Sequence, residues 1–419
     1  MQKFHISGGR PLQGEIAVSG AKNSVLPILA ACTLCRGVCV LHNCPEISDV
    51  EHTVAILRAL GAQVQRRGST LAVDPSGLCR TEVPPEPAGK MRSSVLFLGA
   101  LLSAAGSAAV PLPGGCPLGK RPVDLHLRAL EALGADCLTE DHVLRAVWRS
   151  PHAAEFTFPA VSVGATENAI LAALACPGET VLRNAACEPE ITDLVRFLRS
   201  AGAQIEGGGT RELRITGGQP LHGTTYTVVP DRIETATFLC AAAGCGGDVL
   251  LRRTRGELLL PVADALRQAG CELTAESGAL RIRQAGRLRP LPRLETAVYP
   301  GFPTDCQAPL TAALLRARGE SRMTETLFEN RFHHVPELLR LGADLRLSRN
   351  TVCIRGVPAL HGTPMTARDL RGGAALVLAA LQAEGESTVS GLDHIDRGYA
   401  HLEEKLRALG ARITRSSAG

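Results

Sequence analysis

The sequence is short of aromatic residues, which make up 3% of its 419 residues and include one Trp and three Tyr. Few candidates therefore exist for the stacking platforms that hold single-stranded nucleic acid. The net charge is only +4 and no long run of like charges occurs, so a polyionic patch is also missing. These absences argue against nucleic-acid binding and predict an aliphatic core.

We also expect neither a leader nor a membrane span. Residues 1–21 do not combine a basic stretch with an apolar one, so we expect no secretory signal. The longest uncharged stretch, residues 93–119, is interrupted by Ser, Gly and Pro, which favours a helix, a strand and a loop over a membrane span. We expect a cytoplasmic protein with no membrane contact, and nothing in the sequence indicates an obligate protein partner.

Fourteen cysteines are present, but they are scattered through a long chain. This distribution is typical of reduced thiols in a cytoplasm. Cys32 and Cys35 form a Cys-x-x-Cys pair, and Cys39 and Cys44 follow it. A zinc site would need a second such pair, so structural thiols are favoured and a metal site is the weaker alternative.

A helical pattern ends at a glycine six times along the chain, and a short strand pattern follows each time. Glycine just past a helix is a common stop signal. The six positions recur about every 70 residues, which indicates an internal repeat. They are Gly61, Gly134, Gly202, Gly270, Gly342 and Gly410.

Each repeat is predicted to contain a buried Ala/Leu-rich helix, a strand, a second helix and two further strands. This βαβαββ-like order predicts an α/β protein with two three-repeat domains. The first domain is expected to span residues 22–229, and the second residues 1–21 together with 230–419. Strand patterns at residues 3–7 and 15–19 precede the first repeat and are expected to complete the last domain.

Charged residues recur where the helices of the repeats begin. Helix N-termini attract anions, and added Lys or Arg side chains strengthen that attraction. Ordinary solvated caps are the alternative, above all for the two aspartates. The first helices are predicted to begin at Lys22, Arg92, Gly164, Arg232, Asp305 and Asp369, and two second helices at Arg121 and Arg397.

Residues 113–122 form a Gly/Pro-rich loop between a strand pattern and a helical pattern. Cys116 lies in this loop, and Lys120 and Arg121 follow it. Nearby cations favour the thiolate form, so this thiol is a candidate nucleophile or acid. A loop cysteine without a role is the alternative.

Seven motifs, in order along the chain, resemble the UDP-N-acetylglucosamine 1-carboxyvinyltransferases, a family of enolpyruvyl transferases. The motifs lie at residues 19–23, 113–126, 162–166, 230–235, 301–305, 325–332 and 394–399, and the resemblance runs from Gly8 to the C-terminus. It implies an inside-out α/β barrel in two domains, with helices inside, sheets outside and a site in the cleft between the domains.

The resemblance also implies a reaction. The enolpyruvyl group of phosphoenolpyruvate would be transferred to the 3′-hydroxyl of UDP-N-acetylglucosamine, and phosphate would be released, without a metal or other cofactor. This is the first committed step of peptidoglycan synthesis.

The implied roles suit that chemistry. Cys116 would be the general acid and Asp305 the base. Lys22, Arg121 and Arg397 would hold the phosphate and carboxylate of phosphoenolpyruvate. The other positions implied for substrate binding are Asn23, Arg92, Pro122, Val123, Asp124, Leu125, Ser162, Val163, Gly164, Leu327, Arg331 and Asp369.

Some of these assignments stay open. Arg331 and Asp369 have a structural role as an equal alternative. His126 and His394 lie inside motifs but are expected only to pack or hydrogen-bond. The family pattern has Lys in some members where this chain has Ala160, and Pro117 would stiffen the loop.

Two other functions compete with this one. A sibling enzyme with shikimate 3-phosphate as acceptor shares the fold, but the Lys22-Asn23 pair and Cys116 argue against it. A non-catalytic paralogue that only senses the UDP-sugar would not need Cys116, Asp305 and Arg397 together.

Overall fold

The computed structural model describes residues 2–114 and 123–416, which form two units. The N-terminal unit comprises residues 20–114 and 123–229. The C-terminal unit comprises residues 2–19 and 230–416. Among these residues, no helix has both the length and the apolar character that crossing a membrane requires.

The first two strands, β1 (Lys3–Ser7) and β2 (Leu12–Ala17), belong to the C-terminal unit. β1 was expected at these residues. The second strand was expected at residues 15–19 and begins earlier, because it pairs in parallel from Leu12 to Ala17 with a strand at Gly247–Arg252.

The N-terminal unit continues the chain. Its helices are α1 (Lys22–Ala31), α2 (Ser48–Ala59), α3 (Pro85–Ala88), α4 (Leu96–Ala105), α5 (Asp124–Ala132), α6 (Val163–Ala173) and α7 (Pro189–Ser200). Its strands are β3 (Cys35–Arg36), β4 (Cys39–His42), β5 (Gln63–Arg67), β6 (Thr70–Asp74), β7 (Ser107–Pro111), β8 (Ala135–Glu140), β9 (Val143–Trp148), β10 (Glu155–Thr157), β11 (Gly178–Arg183), β12 (Gln204–Glu206), β13 (Glu212–Gly217), β14 (Leu221–His222) and β15 (Thr225–Thr227). Short 3₁₀ turns lie at Cys32–Leu34, Pro75–Gly77 and Arg92–Val95.

The C-terminal unit contains the remaining elements. Its helices are α8 (Arg232–Cys245), α9 (Leu260–Gln268), α10 (Gln307–Ala313), α11 (Val335–Arg340), α12 (Leu370–Gln382), α13 (Leu392–Ile395) and α14 (Leu402–Ala408). Its further strands are β16 (Gly247–Arg252), β17 (Glu272–Glu276), β18 (Ala279–Gln284), β19 (Leu294–Glu295), β20 (Glu320–Thr324), β21 (Asp344–Ser348), β22 (Thr351–Arg355), β23 (Pro364–Thr366), β24 (Glu386–Ser390) and β25 (Arg412–Ser416). Its 3₁₀ turns lie at Gly256–Leu259, Thr304–Cys306 and Leu314–Arg316.

The sheets share one pattern, in which a parallel pair at one edge is followed by antiparallel strands. In the C-terminal unit the orders are β17-β18-β16-β2, β19-β20-β22-β21 and β23-β24-β1-β25. In the N-terminal unit they are β15-β4-β6-β5, β10-β11-β13-β12 and β7-β9-β8, with a small pair β14-β3. In the three-stranded sheet, Glu82 supplies the parallel edge as a single bridge to Ala109.

The first helix of each repeat is buried nearly all round, as its apolar sequence predicts. In the C-terminal unit, α8, α10 and α12 pack on one another, and every residue of α10 and α12 is buried. In the N-terminal unit, α4 packs between α1 and α6. Each unit therefore has helices in its core and sheets around them.

The predicted glycine stops are confirmed. α2, α5, α7, α9, α11 and α14 each end two residues before their glycine. All six glycines have φ between 86° and 109°, the left-handed region that an L side chain rarely adopts.

The close approach of α4 to α6 requires a glycine. A Cβ on Gly99 would lie 2.5 Å from the Asn168 carbonyl oxygen, and the Gly99 N–H donates to Asn168 Oδ1 at 2.8 Å. Substitution would therefore push the two helices apart.

We predict that Gly99→Ala lowers the free energy of unfolding by about 1–3 kcal/mol, as overpacking of a core does. Urea unfolding measures it. Gly256→Ala is the matched control, because the nearest atom to its added Cβ would be 3.8 Å away. Equal stability of the two variants would contradict the tight helix crossing.

Candidate active site

Lys22 and Asn23 are the first two residues of α1, as predicted, and Ala21 before them supplies no side-chain cap. Asn23 is exposed, whereas Lys22 is buried, with 8% of its surface exposed. The Lys22 Nζ lies 2.7 Å from Asp49 Oδ2 on α2. The start of α1 thus presents the exposed amide of Asn23 next to the buried Lys22 cation, whose charge is neutralised by Asp49.

Three further predicted segments of the N-terminal unit are joined by Asn168 on α6. Its Nδ2 donates to the Val95 carbonyl at 2.9 Å and lies 2.8 Å from Nδ1 of His126 on α5. Val95 ends the 3₁₀ turn that begins at Arg92, and His126 follows Leu125 directly. This residue therefore links the Arg92 turn and residues 123–125 to α6.

The start of α6 is fixed by local contacts. Ser162 is its N-cap, and the Ser162 hydroxyl accepts from the Ala165 N–H at 3.4 Å. A Cβ on Gly164 would lie 3.1 Å from Cε1 of His126, so the glycine lets the imidazole pack against the helix start. The expectation that His126 packs and hydrogen-bonds is confirmed. Ser162, Val163 and Gly164 thus lie next to the α5 segment.

Cys116, Arg121 and Pro122 lie outside the described residues. The predictions made for them remain predictions.

In the C-terminal unit, Asp305 is the centre of an ion cluster. It lies in the 3₁₀ turn before α10, and its side chain is 25% exposed. Oδ1 accepts from Arg331, and Oδ2 accepts from Nε and Nη2 of Arg371 at 3.1 and 3.0 Å. Both guanidiniums are buried, with side-chain exposures of 6% and 4%.

The charge state of Asp305 follows from these neighbours. Burial alone would raise the pKa of its carboxyl, but Arg371 and Arg331 outweigh burial and hold the pKa well below its ordinary value. Asp305 is therefore an ionised carboxylate and, while both guanidiniums hold it, a weak base. It gains basicity only if one of these contacts loosens.

Arg371 was missed in the sequence. It is the only charged residue in α12, a helix whose thirteen residues are all buried. A buried charge needs a partner of opposite charge. A lone arginine in an apolar helical segment could therefore have indicated a buried ion pair. Besides Asp305, its guanidinium faces the ring of Tyr399, with 5.2 Å from Cζ to the ring centroid.

Glu325 was also missed, and it organises the loop that carries Leu327 and Arg331. The Glu325 carboxylate is buried and accepts from the Leu327 N–H at 2.9 Å and the Thr304 hydroxyl at 2.7 Å. It therefore ties this loop to the residue before Asp305. Leu327 itself is 39% exposed.

The remaining predicted residues of this unit lie at helix ends. Asp369 is the N-cap of α12, and its Oδ1 accepts from the Gly372 N–H at 2.7 Å. Arg397 is half-buried in the turn after α13, so the prediction that a second helix begins there is wrong, and that helix, α14, begins at Leu402. Arg232 begins α8 and lies 5.7 Å from the centroid of the Tyr299 ring. A cap is thus an established role for Asp369.

His334 adds no positive charge near this cluster at neutral pH. Burial lowers the pKa of its imidazole to about 4, and the charge of Arg331 acts in the same direction. Within residues 2–114 and 123–416, no group of three or more His, Cys, Asp or Glu side chains is arranged to hold a metal ion. Cys32, Cys35, Cys39 and Cys44 are all buried.

We predict that Asp305→Asn lowers the free energy of unfolding by about 2 kcal/mol at pH 7, because two buried guanidiniums lose their carboxylate. The depressed pKa of Asp305 makes its contribution complete above the unfolded value of about 3.9. The contribution is lost as pH falls below that value. The difference from wild type should therefore shrink below about pH 4 in urea unfolding.

Asp248→Asn is the control for this comparison. The carboxylate of Asp248 also binds two arginines, and hydrogen bonding by Arg281 lowers its pKa to about 2, but its side chain is 36% exposed. A surface pair of this kind contributes about 1 kcal/mol or less. A pH-independent effect of Asp305→Asn would contradict the charge assignment.

Comparison with known proteins gives the same family from sequence and from structure. The family model of EPSP synthase (3-phosphoshikimate 1-carboxyvinyltransferase) matches residues 6–406. A relative from Caldanaerobacter subterraneus subsp. tengcongensis, called UDP-N-acetylglucosamine 1-carboxyvinyltransferase 2, is 44% identical over 99% of this chain and 100% of its own length.

Two solved structures have the same fold. The enolpyruvyl transferase NikO from Streptomyces tendae superposes with a TM-score of 0.89 at 28% identity, over 100% of this chain and 99% of that one. EPSP synthase from Acinetobacter baumannii gives a TM-score of 0.75 at 20% identity over the full length of both chains, and shows the fold alone. The enolpyruvyl transferase fold predicted from the motifs is thus confirmed, and the chain belongs to the EPSP synthase family of enolpyruvyl transferases.

Proposed function

We propose that this chain transfers the enolpyruvyl group of phosphoenolpyruvate to the 3′-hydroxyl of UDP-N-acetylglucosamine, with release of phosphate. The observation that carries the proposal is the ionised carboxylate of Asp305, a residue of the matched motif at 301–305. Arg331 and Arg371 hold this carboxylate. The acceptor is proposed from the 44% identical relative, which is named for that reaction. Peptidoglycan synthesis would be the pathway served.

The proposed reaction is an addition followed by an elimination. A proton from Cys116 adds to the methylene carbon of phosphoenolpyruvate, and the sugar hydroxyl adds to the neighbouring carbon as Asp305 takes its proton. Loss of a proton from the new methyl group and departure of phosphate then restore the double bond. Each atom of the two substrates is accounted for in the enolpyruvyl sugar and phosphate.

The basicity of Asp305 limits this scheme, because two guanidiniums stabilise its charged form. An anionic substrate that engages Arg331 or Arg371 would weaken that hold and make the carboxylate a better base. We therefore propose that substrate binding activates Asp305. Lys22, Arg121 and Arg397 would neutralise the phosphate and carboxylate of phosphoenolpyruvate.

The N-terminal unit would bind the acceptor. Asn168 and His126 link the turn that begins at Arg92 to Ser162–Gly164 and to Val123–Leu125, which supports a common role for these segments. Arg121 and Pro122 would join them in holding the UDP group, and Asn23 and Leu327 would contact the sugar. Asp369, already a helix cap, is proposed to assist proton removal.

Shikimate 3-phosphate is the second candidate acceptor, because the matched family model carries the name of that enzyme. We predict that purified protein releases phosphate from phosphoenolpyruvate when UDP-N-acetylglucosamine is added and not when shikimate 3-phosphate is added. A coupled phosphate assay measures both. Release with shikimate 3-phosphate would replace the proposed acceptor, and release with neither would indicate a protein that only binds a ligand.

We predict that Cys116→Ala lowers turnover by about 10²- to 10⁴-fold, the usual contribution of a positioned acid. Cys116→Ser should fail as well, because a hydroxyl is a much weaker acid. Cys116→Asp should keep measurable turnover, since a carboxylic acid can supply the proton. Cys79→Ala is the control, because Cys79 is an exposed thiol outside the seven matched motifs. Full turnover in Cys116→Ala would remove the acid role.

A further inference from the structure

Lys22 occupies a position that is unfavourable for a cation on two counts. It is the first residue of α1, where the helix dipole and the free N–H groups repel positive charge. It is also buried, with 8% of its surface exposed, and burial disfavours an ammonium group that has no counter-charge. Some other group must therefore stabilise its charged form.

Asp49 has the properties of that group. Its Oδ2 lies 2.7 Å from the Lys22 Nζ, and the two side chains are 2% and 9% exposed, so water screens the pair little. Asp49 lies in the first turn of α2, where the helix dipole stabilises a carboxylate. A helix N-terminus therefore destabilises the positive charge of Lys22 and stabilises the negative charge of Asp49.

Asp49 is held in place by the packing of α2. Its carbonyl accepts from the Thr53 hydroxyl at 2.8 Å, and that hydroxyl lies 3.6 Å from Sδ of Met91. Met91 precedes Arg92 directly, so one turn of α2 contacts both the Lys22 cation and the residue that leads into the Arg92 turn. α1 and α2 also pack against each other.

We propose that Asp49 is a positioning residue that keeps the Lys22 ammonium charged and directed for binding phosphoenolpyruvate. This inference rests on the proposed function, in which Lys22 is one of the cations that hold the phosphate and carboxylate. Asp49 does not itself bind the anion, because a carboxylate repels it. It acts through Lys22, whose ammonium carries three N–H donors and lies against the Asp49 carboxylate.

The test uses three variants of the full-length protein. Asp49→Asn keeps the shape and removes the charge, and Asp49→Glu keeps the charge and changes the reach. Asp193→Asn is the matched control, because Asp193 is equally buried, lies on α7 of the same unit and is bound by the Tyr226 hydroxyl. Calorimetric Kd for phosphoenolpyruvate, KM for both substrates and the unfolding midpoint are measured for each.

Asp49→Asn should raise Kd and KM for phosphoenolpyruvate by up to about 10²-fold, the scale expected when a binding group is misplaced. KM for the acceptor should change by no more than about twofold, Asp49→Glu should recover most of the loss, and Asp193→Asn should bind phosphoenolpyruvate like wild type. A merely structural carboxylate would instead weaken binding of both substrates together with the unfolding midpoint, which would overturn the inference.

Two other outcomes separate this inference from the proposed function. Wild-type turnover with an unchanged Kd in Asp49→Asn would overturn the inference and leave the function intact. If wild type binds phosphoenolpyruvate without turnover, the proposed function fails and the Kd comparison alone decides on Asp49. If wild type does not bind phosphoenolpyruvate, both fail.

Discussion

The pairing of Asp305 with Arg331 and Arg371 is the interaction on which the C-terminal unit depends. Arg371 enters a helix that is otherwise apolar and wholly buried, and its charge is tolerated there because a carboxylate lies against it. The same contact fixes Asp305 before α10 and draws in Arg331 from the loop that Glu325 organises. A packing requirement and the carboxylate proposed as the base thus share one set of contacts.

The N-terminal unit meets the same requirement, since the buried Lys22 cation is neutralised by the Asp49 carboxylate. A third pair lies in the C-terminal unit. Glu234 on α8 binds Lys405 and accepts from the Ser19 N–H at 2.9 Å. Burial raises the pKa of Glu234, and Lys405 opposes that rise. Charges at the starts of buried helices are therefore paired in both units.

The sequence predicted the helices well because glycine stops, apolar helices and charged helix starts are local signals. It placed β2 too late, because a parallel partner more than 200 residues away decides where that strand begins. It proposed Lys22 and Asp305 as site residues through their motifs but missed Asp49 and Arg371, the groups that pair with them. Those pairings join separate helices, and no spacing rule within one repeat reveals them. Cys116, Arg121 and Pro122 rest on the sequence alone.

The central claim is that a proton is added to phosphoenolpyruvate at carbon before phosphate leaves. Turnover in deuterium oxide tests it directly, with proton NMR of the enolpyruvyl product. Because the methyl intermediate carries one deuterium and can lose either isotope, the account predicts deuterium in the vinyl methylene group of the product. Product formed without any deuterium there would contradict addition followed by elimination, and with it the roles given to Cys116 and Asp305.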